Sequence, residues 1–269
     1  RTTAFLRVHS SNFRVVGFTH FVVLEEIVSL AEKHNLIVNE DLGRGCFRDT
    51  AQYGLEHEPT VQESIAGGAA LVFFSGDKLV GGPQAGIIVG KKTLVDKLKK
   101  HPLARAVRTD KIRLAGLRTT LVHYLKGEAL AKIPIWQMIS MPLGDIEKRA
   151  KTWAKAAGAG AEVIDGRTMV GGGSIPGGSL PTKLVSLPGG KRLAESFRNR
   201  PVPVIGRVEK DRLLLDPRTV LPDDDRLVKE ALHYIEPIPP SRTHPAISNE
   251  VRDPAGHGIR PSPRYPEGR

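Results

Sequence analysis

Ser75-Gly76-Asp77-Lys78-Leu79-Val80-Gly81-Gly82-Pro83-Gln84-Ala85-Gly86, preceded by the apolar run Leu71-Val72-Phe73-Phe74, decides how this chain is read. Residues 69–74 have the length and the β-branched and aromatic content of a buried strand. Where that strand stops, Ser75 supplies a hydroxyl, Asp77 a carboxylate and Lys78 an amine. Gly81 and Gly82 then let the backbone pass close to whatever occupies the turn. A lysine in a turn is ordinarily a solvated surface charge. A hydroxyl three residues before it and glycines just after it also suit a lysine that bonds covalently to the aldehyde of pyridoxal phosphate. Such an amine must shed its proton to act as a nucleophile, and a poorly hydrated pocket promotes that loss.

Upstream, Phe5–His9 reads as a short strand ending in Ser10-Ser11-Asn12. From Leu24 to His34 the apolar residues recur at helical spacing, with Glu25, Glu26 and Glu32 outside and Asn35 as a stop. A second strand starts at Leu36-Ile37-Val38 and runs into Asn39-Glu40-Asp41. Thr60 and Glu63 have capping-box spacing for a helix over 61–66, which Gly67-Gly68 ends. Strands and helices alternating at this spacing predict an α/β fold with a parallel sheet and right-handed crossovers. Asn12, Asp41 and Ser75–Lys78 then each fall just past the carboxyl end of a strand, the edge that lines the ligand crevice of an open sheet. Separately they are a turn amide, a cap and a surface amine. Together they offer an amide for a ring hydroxyl, a carboxylate for a pyridinium nitrogen and an amine for the aldehyde, the set a pyridoxal ring needs to act as an electron sink.

Downstream, a strand is expected at Gly86–Gly90 and an amphipathic helix at Lys91–Lys100, interrupted at Pro102. Arg105 and Arg108, three apart, are expected on one helical face, and Ile112–Leu125 continues as helix. After Ile133 the pattern becomes α+β on a small sheet. Strands are expected at 162–164, 184–187, 204–208 and 213–215, and helices at 146–157, 191–197 and 224–232, with a glycine-rich bend at 170–174. The expected division is a large-domain part over 1–132, a small α+β domain over 133–236 and a tail over 237–269. That tail holds eight of the 20 prolines and little apolar content, a composition expected to stay flexible.

Forty per cent hydrophobic residues fit a globular protein, and no apolar run approaches the roughly 20 residues of a membrane span. The first residues lack a signal-peptide hydrophobic region and do not begin with Met, so the expectation is a cytoplasmic chain that lacks its true start. One cysteine, Cys46, excludes a disulfide framework or a cysteine-rich metal site. The net charge of +11 suits a polyanionic partner. Between Lys91 and Arg113 stand nine Lys/Arg and two Asp, a net +7, either a solvated helix face or a surface for anions or RNA.

Ser75–Gly90 closely resembles the lysine segment of bacterial selenocysteine synthases, the L-seryl-tRNA(Sec) selenium transferases. Val8–Phe13, Glu40–Gly43, His101–Lys111, Val170–Pro176 and Pro203–Arg207 resemble further segments of that family. The resemblance runs from about Leu6 to about Leu232. It implies an aspartate-aminotransferase-like (fold type I) large domain, present in part, with a smaller α+β C-terminal domain and pyridoxal 5'-phosphate as cofactor. It implies that Lys78 carries the cofactor and acts in catalysis with Asp77. Asn12, Asp41 and Ser75 would contact the cofactor, and Arg105 and Arg108 would hold selenophosphate. The implied reaction replaces the seryl hydroxyl of seryl-tRNA(Sec) with selenium during selenocysteine biosynthesis, in a dimer-based homo-oligomer and with no metal. Arg44 and Cys46 stand where the family pattern has serines. On this resemblance the chain corresponds to the C-terminal half of such an enzyme. Two other readings remain at this point: an ammonia-lyase acting on a small phosphorylated amino acid, or a non-catalytic fragment that binds RNA or dimerises.

Overall fold

The computed structural model describes residues 2–10, 17, 18, 20, 22–171, 175, 177–233 and 235, within one compact unit spanning Arg1–Ile235. Asn12 and the expected tail over 237–269 lie outside the described residues. Two four-stranded sheets organise the rest.

In the first sheet β1 (Ala4–Val8), β2 (Ile37–Gly43) and β3 (Leu71–Ser75) lie side by side and parallel. The links between them carry α1 (Leu24–Lys33) and α2 (Val61–Ala66). Local chemistry sets the ends of both helices. Asn35 takes a left-handed φ of 52° after α1, a conformation asparagine tolerates better than most residues. At α2 the capping box forms: Thr60 Oγ1 accepts from Glu63 N at 3.2 Å, and Thr60 N donates to Glu63 Oε2 at 2.7 Å. Leu24, Ala31, Val38, Leu42, Val72 and Phe74 close the core between these helices and the sheet. β4 (Gly86–Gly90) runs antiparallel to β3. The stretch 76–85 is shorter than the dozen or so residues a parallel crossover needs, so the chain returns beside the strand it left.

Beyond β4 come α3 (Lys92–Lys100), α4 (Pro102–Ala106), α5 (Lys111–Leu125), α6 (Ala129–Lys132) and α7 (Pro134–Ser140). α8 (Leu143–Ala157) leads to β5 (Glu162–Met169), β6 (Ser179–Pro188), α9 (Gly190–Arg198), β7 (Arg207–Glu209), β8 (Arg212–Leu215) and α10 (Asp225–His233). These four strands form an antiparallel sheet in the order β5-β6-β8-β7. Trp153, Phe197, Val228 and Leu232 bury against Val185, Leu187, Leu213 and Leu215 to make its core. The strand expected over 204–208 is shorter and later than its composition suggests. Gly206 lies against β8, where a Cβ would come within 2.6 Å of the Leu214 carbonyl oxygen, and pairing starts only at Arg207. Among the described residues no helix is long and apolar enough to cross a membrane.

The loop from β2 to α2 carries a histidine clamp. Asp49 caps a short 3-10 turn at Thr50–Tyr53 and accepts from His57 Nδ1 at 2.9 Å, while His57 Nε2 lies 3.3 Å from Glu63 Oε2. The hydrogen bond to Asp49 raises the His57 pKa, and the same bond lowers that of Asp49. The stabilisation from His57 is therefore fully present below its unfolded pKa, about 6.5, and is lost as pH rises through the higher folded value. That from Asp49 is present above its unfolded pKa and lost as pH falls through the depressed folded one. Urea midpoints are expected to decline from pH 6 to pH 8 in the parent chain and to decline less in His57→Gln. The difference is small, because all three side chains are more than a third exposed.

Candidate active site

The loop that leaves β3 is tied to itself. Gly76 N donates to Ala85 O at 2.9 Å, Gly82 N to Gly76 O at 2.8 Å and Gly81 N to Lys78 O at 2.9 Å. Gly81 holds a φ of +74°, and a Cβ there would come within 2.4 Å of Ile133 Cγ2, so the tight pass needs glycine. Leu79 and Val80, fully buried, anchor the loop and leave Lys78 one-third exposed at 33%. Lys78 Nζ sits 3.4 Å from Asp77 Oδ2. Both line a cavity of about 310 Å³ with Gly81, Gly82, Pro134, Ile135, Val170 and Gly171.

Two aromatic residues that sequence reasoning did not single out fix this loop. Trp136 Nε1 donates to Leu79 O at 2.9 Å and meets Tyr124 Oη at 2.5 Å. Tyr124 Oη donates to Leu79 O at 3.2 Å and Val80 O at 3.0 Å. Burial pushes the Tyr124 hydroxyl pKa well above its ordinary value, so it remains a donor. The only signal in the sequence was that both residues carry a polar tip on an apolar body, and such a tip finds a partner when buried.

Asp41 lies near the end of β2 beside β3, in register with Phe73 two residues before Ser75. Its Oδ1 accepts from Gly43 N at 2.8 Å, which closes a tight turn and fixes the carboxylate at the sheet's carboxyl edge. Asp77 and Lys78 follow the end of β3 as expected, whereas Asp41 lies inside β2, two residues before its end, and Ser75 is the last residue of β3; neither Asp41 nor Ser75 lines the Lys78 cavity. Cys46, close by in sequence, donates its Sγ–H to Arg48 O at 2.8 Å, and burial pushes its thiol up to about 11, which suits a packing residue.

The arginine pair needs a correction. Arg105 lies in α4, but that helix ends at Ala106 and Arg108 falls beyond it, so the two do not share a helical face. The cause is competing caps: Asp110 is extended (φ −70°, ψ 165°) and accepts from Arg113 N at 2.9 Å to start α5, which bars a continuous helix. Both arginines are exposed and neither lines the cavity beside Lys78. Among the described residues no cluster of three or more His, Cys, Asp or Glu is placed to hold a metal.

The residues present fit a pyridoxal phosphate by the chemistry of the set: an amine at a partly enclosed cavity, an adjacent carboxylate, and a second carboxylate fixed near the end of the next strand.

Comparison with known proteins gives the family and the fold. Residues 1–221 match the family described as SelA, L-seryl-tRNA selenium transferase. The L-seryl-tRNA(Sec) selenium transferase of Clostridium perfringens (strain 13 / Type A) is 44% identical over 244 residues, covering 87% of this chain and 53% of the relative. That of Geobacter sulfurreducens is 43% identical over 245 residues, again covering 87% and 53%. The chain therefore spans about half the length of the curated relatives it matches. Among solved structures, D-glucosaminate-6-phosphate ammonia-lyase superposes with a TM-score of 0.50 at 20% identity, over 86% of this chain and 56% of that one. That likeness shows the fold alone, the fold-type-I architecture expected from the sequence and present here in part. With one family accounting for the lysine loop, the parallel sheet that presents it and most of the antiparallel sheet beyond, the chain belongs to the L-seryl-tRNA selenium transferase family.

Proposed function

We propose that this chain carries the cofactor-bearing half of an enzyme that converts seryl-tRNA(Sec) to selenocysteinyl-tRNA(Sec) with selenophosphate. The observation that supports this most is the Ser75–Gly90 segment, whose hydrogen-bonded 76–85 loop presents Lys78 beside Asp77 at a cavity, in a member of this family. In this reading Lys78 would hold pyridoxal 5'-phosphate through its amine, with the Asp41 carboxylate serving the ring nitrogen, the Asn12 amide the ring hydroxyl and Ser75 as a further contact. When bound, it supplies an electron sink for charge developing at the substrate Cα. Lys78 Nζ would take the Cα proton of the substrate. Asp77, 3.4 Å from that nitrogen, would relay the proton taken up by Lys78 to the β-hydroxyl, which leaves as water. Arg105 and Arg108 hold the selenium donor through guanidinium–oxyanion hydrogen bonds. Both are exposed and lie outside the Lys78 cavity, and in this reading a second copy in a dimer-based homo-oligomer brings them to the site. Residues 1–132 form part of the cofactor domain and the antiparallel sheet belongs to a small domain. The enzyme works in the cytoplasm as part of protein biosynthesis.

The test is to supply the purified chain with pyridoxal phosphate, seryl-tRNA(Sec) and selenophosphate and assay the tRNA. Selenocysteinyl-tRNA(Sec) is expected. Release of ammonia from a free phosphorylated amino acid, with no change in the charged tRNA, would overturn the reading in favour of a lyase.

A further inference from the structure

One buried charge plays no part in the chemistry above. Arg44, in the turn leaving β2, is only 3% exposed. Its Nε lies 3.0 Å from Oε2 of Glu58, which is also buried, and its Nη2 lies 3.4 Å from His9 Nε2. His9 in turn lies 3.5 Å from Glu58 Oε2. Even so, neither Nε nor Nη1 of Arg44 has an aligned hydrogen-bond partner. Burial works against this charge, and Glu58 is the main group offsetting it. An ion pair whose only purpose was to brace the loop would be expected to use the guanidinium fork in full, because leaving a buried N–H unpaired is costly.

The location gives that spare donor a use. Gly43, at a φ of +67°, donates to the Asp41 carboxylate, and Arg44 N donates to Leu42 O at 2.7 Å. Gly43 is in register with Phe74, the residue before Ser75, and His9 N donates to Asp41 O at 2.8 Å. Arg44 therefore stands where the carboxyl ends of β1, β2 and β3 meet, the edge that forms the ligand crevice in an open α/β sheet.

We propose that Arg44 is an oxyanion-binding residue of this crevice, with Nη1 as the donor and with Glu58 and His9 as positioning residues that aim the guanidinium. Two ligands of the proposed reaction bring such an oxygen: the cofactor, through its phenolate or phosphate, and the selenium donor, through its phosphate. The first source rests on the reading of Lys78 given above, and the second does not.

The experiment titrates pyridoxal phosphate and, separately, inorganic phosphate into the full chain and into Arg44→Ser and Arg44→Lys. Dissociation constants are read by calorimetry, alongside the rise in Tm at saturation. Arg44→Ser is expected to weaken binding of at least one ligand by about tenfold or more, the loss of a charge-assisted hydrogen bond, with Arg44→Lys between. The ligand-induced rise in Tm shrinks in step. Weakening confined to pyridoxal phosphate identifies the cofactor as the source, and weakening confined to phosphate identifies the donor. A lower Tm for the free variant with both constants unchanged means that Arg44 only braces the loop, and overturns the proposal. If the parent chain takes up no pyridoxal phosphate, the reading of Lys78 fails on its own. The phosphate titration then decides Arg44, and an unchanged constant or no phosphate binding overturns it. Should Arg44→Ser not fold, Arg44→Gln/Glu58→Gln removes both buried charges together and replaces it.

Discussion

Lys78→Ala is expected to abolish covalent uptake of pyridoxal phosphate, seen as loss of the bound cofactor's absorbance band at the edge of the visible. Lys78 carries the one side-chain amine among the described residues lining the cavity, and alanine leaves nothing there to form an imine with the aldehyde. Turnover by a competent enzyme should fall by at least about a thousandfold, within the range a positioned proton-transfer group supplies. Lys78→Arg separates charge from chemistry: it keeps a cation near Asp77 yet is expected to lose the band just as completely. Folding should be little changed in either variant, because the 3.4 Å pair with Asp77 is partly exposed and contributes little. Circular dichroism and the urea midpoint check that point. A band that survives in Lys78→Ala would move the cofactor to another amine and sink the assignment.

The lysine loop was legible because its determinants are local. A buried strand, a polar cluster at its end and paired glycines are all read from adjacent residues, and they fold where expected, between β3 and β4. The ends of α1 and α2 were legible for the same reason, since Asn35 and the Thr60–Glu63 box act within a few residues. What was hidden depends on distant partners. α6 and α7, four and seven residues long, are too short for a periodic pattern. Pro134–Ser140 is helical in a context where Trp136 meets Leu79, 57 positions earlier. The burial of Arg44 was hidden because a charged residue in a loop ordinarily faces solvent, and only the fold brings Glu58 and His9 to it. Arg105 and Arg108 do not share a helical face because a three-residue spacing carries no sign of where a helix ends, and Asp110 starts another one.

Trp136 is where the stability of the fold and the placement of Lys78 meet. Its side chain is fully buried beside Leu79, Ile133, Ile139 and Leu180, with Tyr53 at 5.8 Å between ring centroids. Trp136→Ala is expected to cost about 3–5 kcal/mol from lost burial and the cavity left behind. For a domain stable by about 5–15 kcal/mol this is a large fraction of the total. Leu79 O keeps the Tyr124 hydroxyl at 3.2 Å, so the carbonyl is weakened rather than orphaned. Trp136→Phe keeps most of the apolar contact but removes the indole N–H, and should cost less, about 1–3 kcal/mol. Urea unfolding of both variants measures these losses. Because Leu79 directly follows Lys78, the Phe variant is also expected to hold pyridoxal phosphate more weakly under conditions where it is fully folded. The indole donor would then be shown to position the lysine. Unchanged cofactor affinity in a destabilised but folded Trp136→Phe would show that the internal bonds of the 76–85 loop suffice to place Lys78, and that Trp136 contributes only to the core.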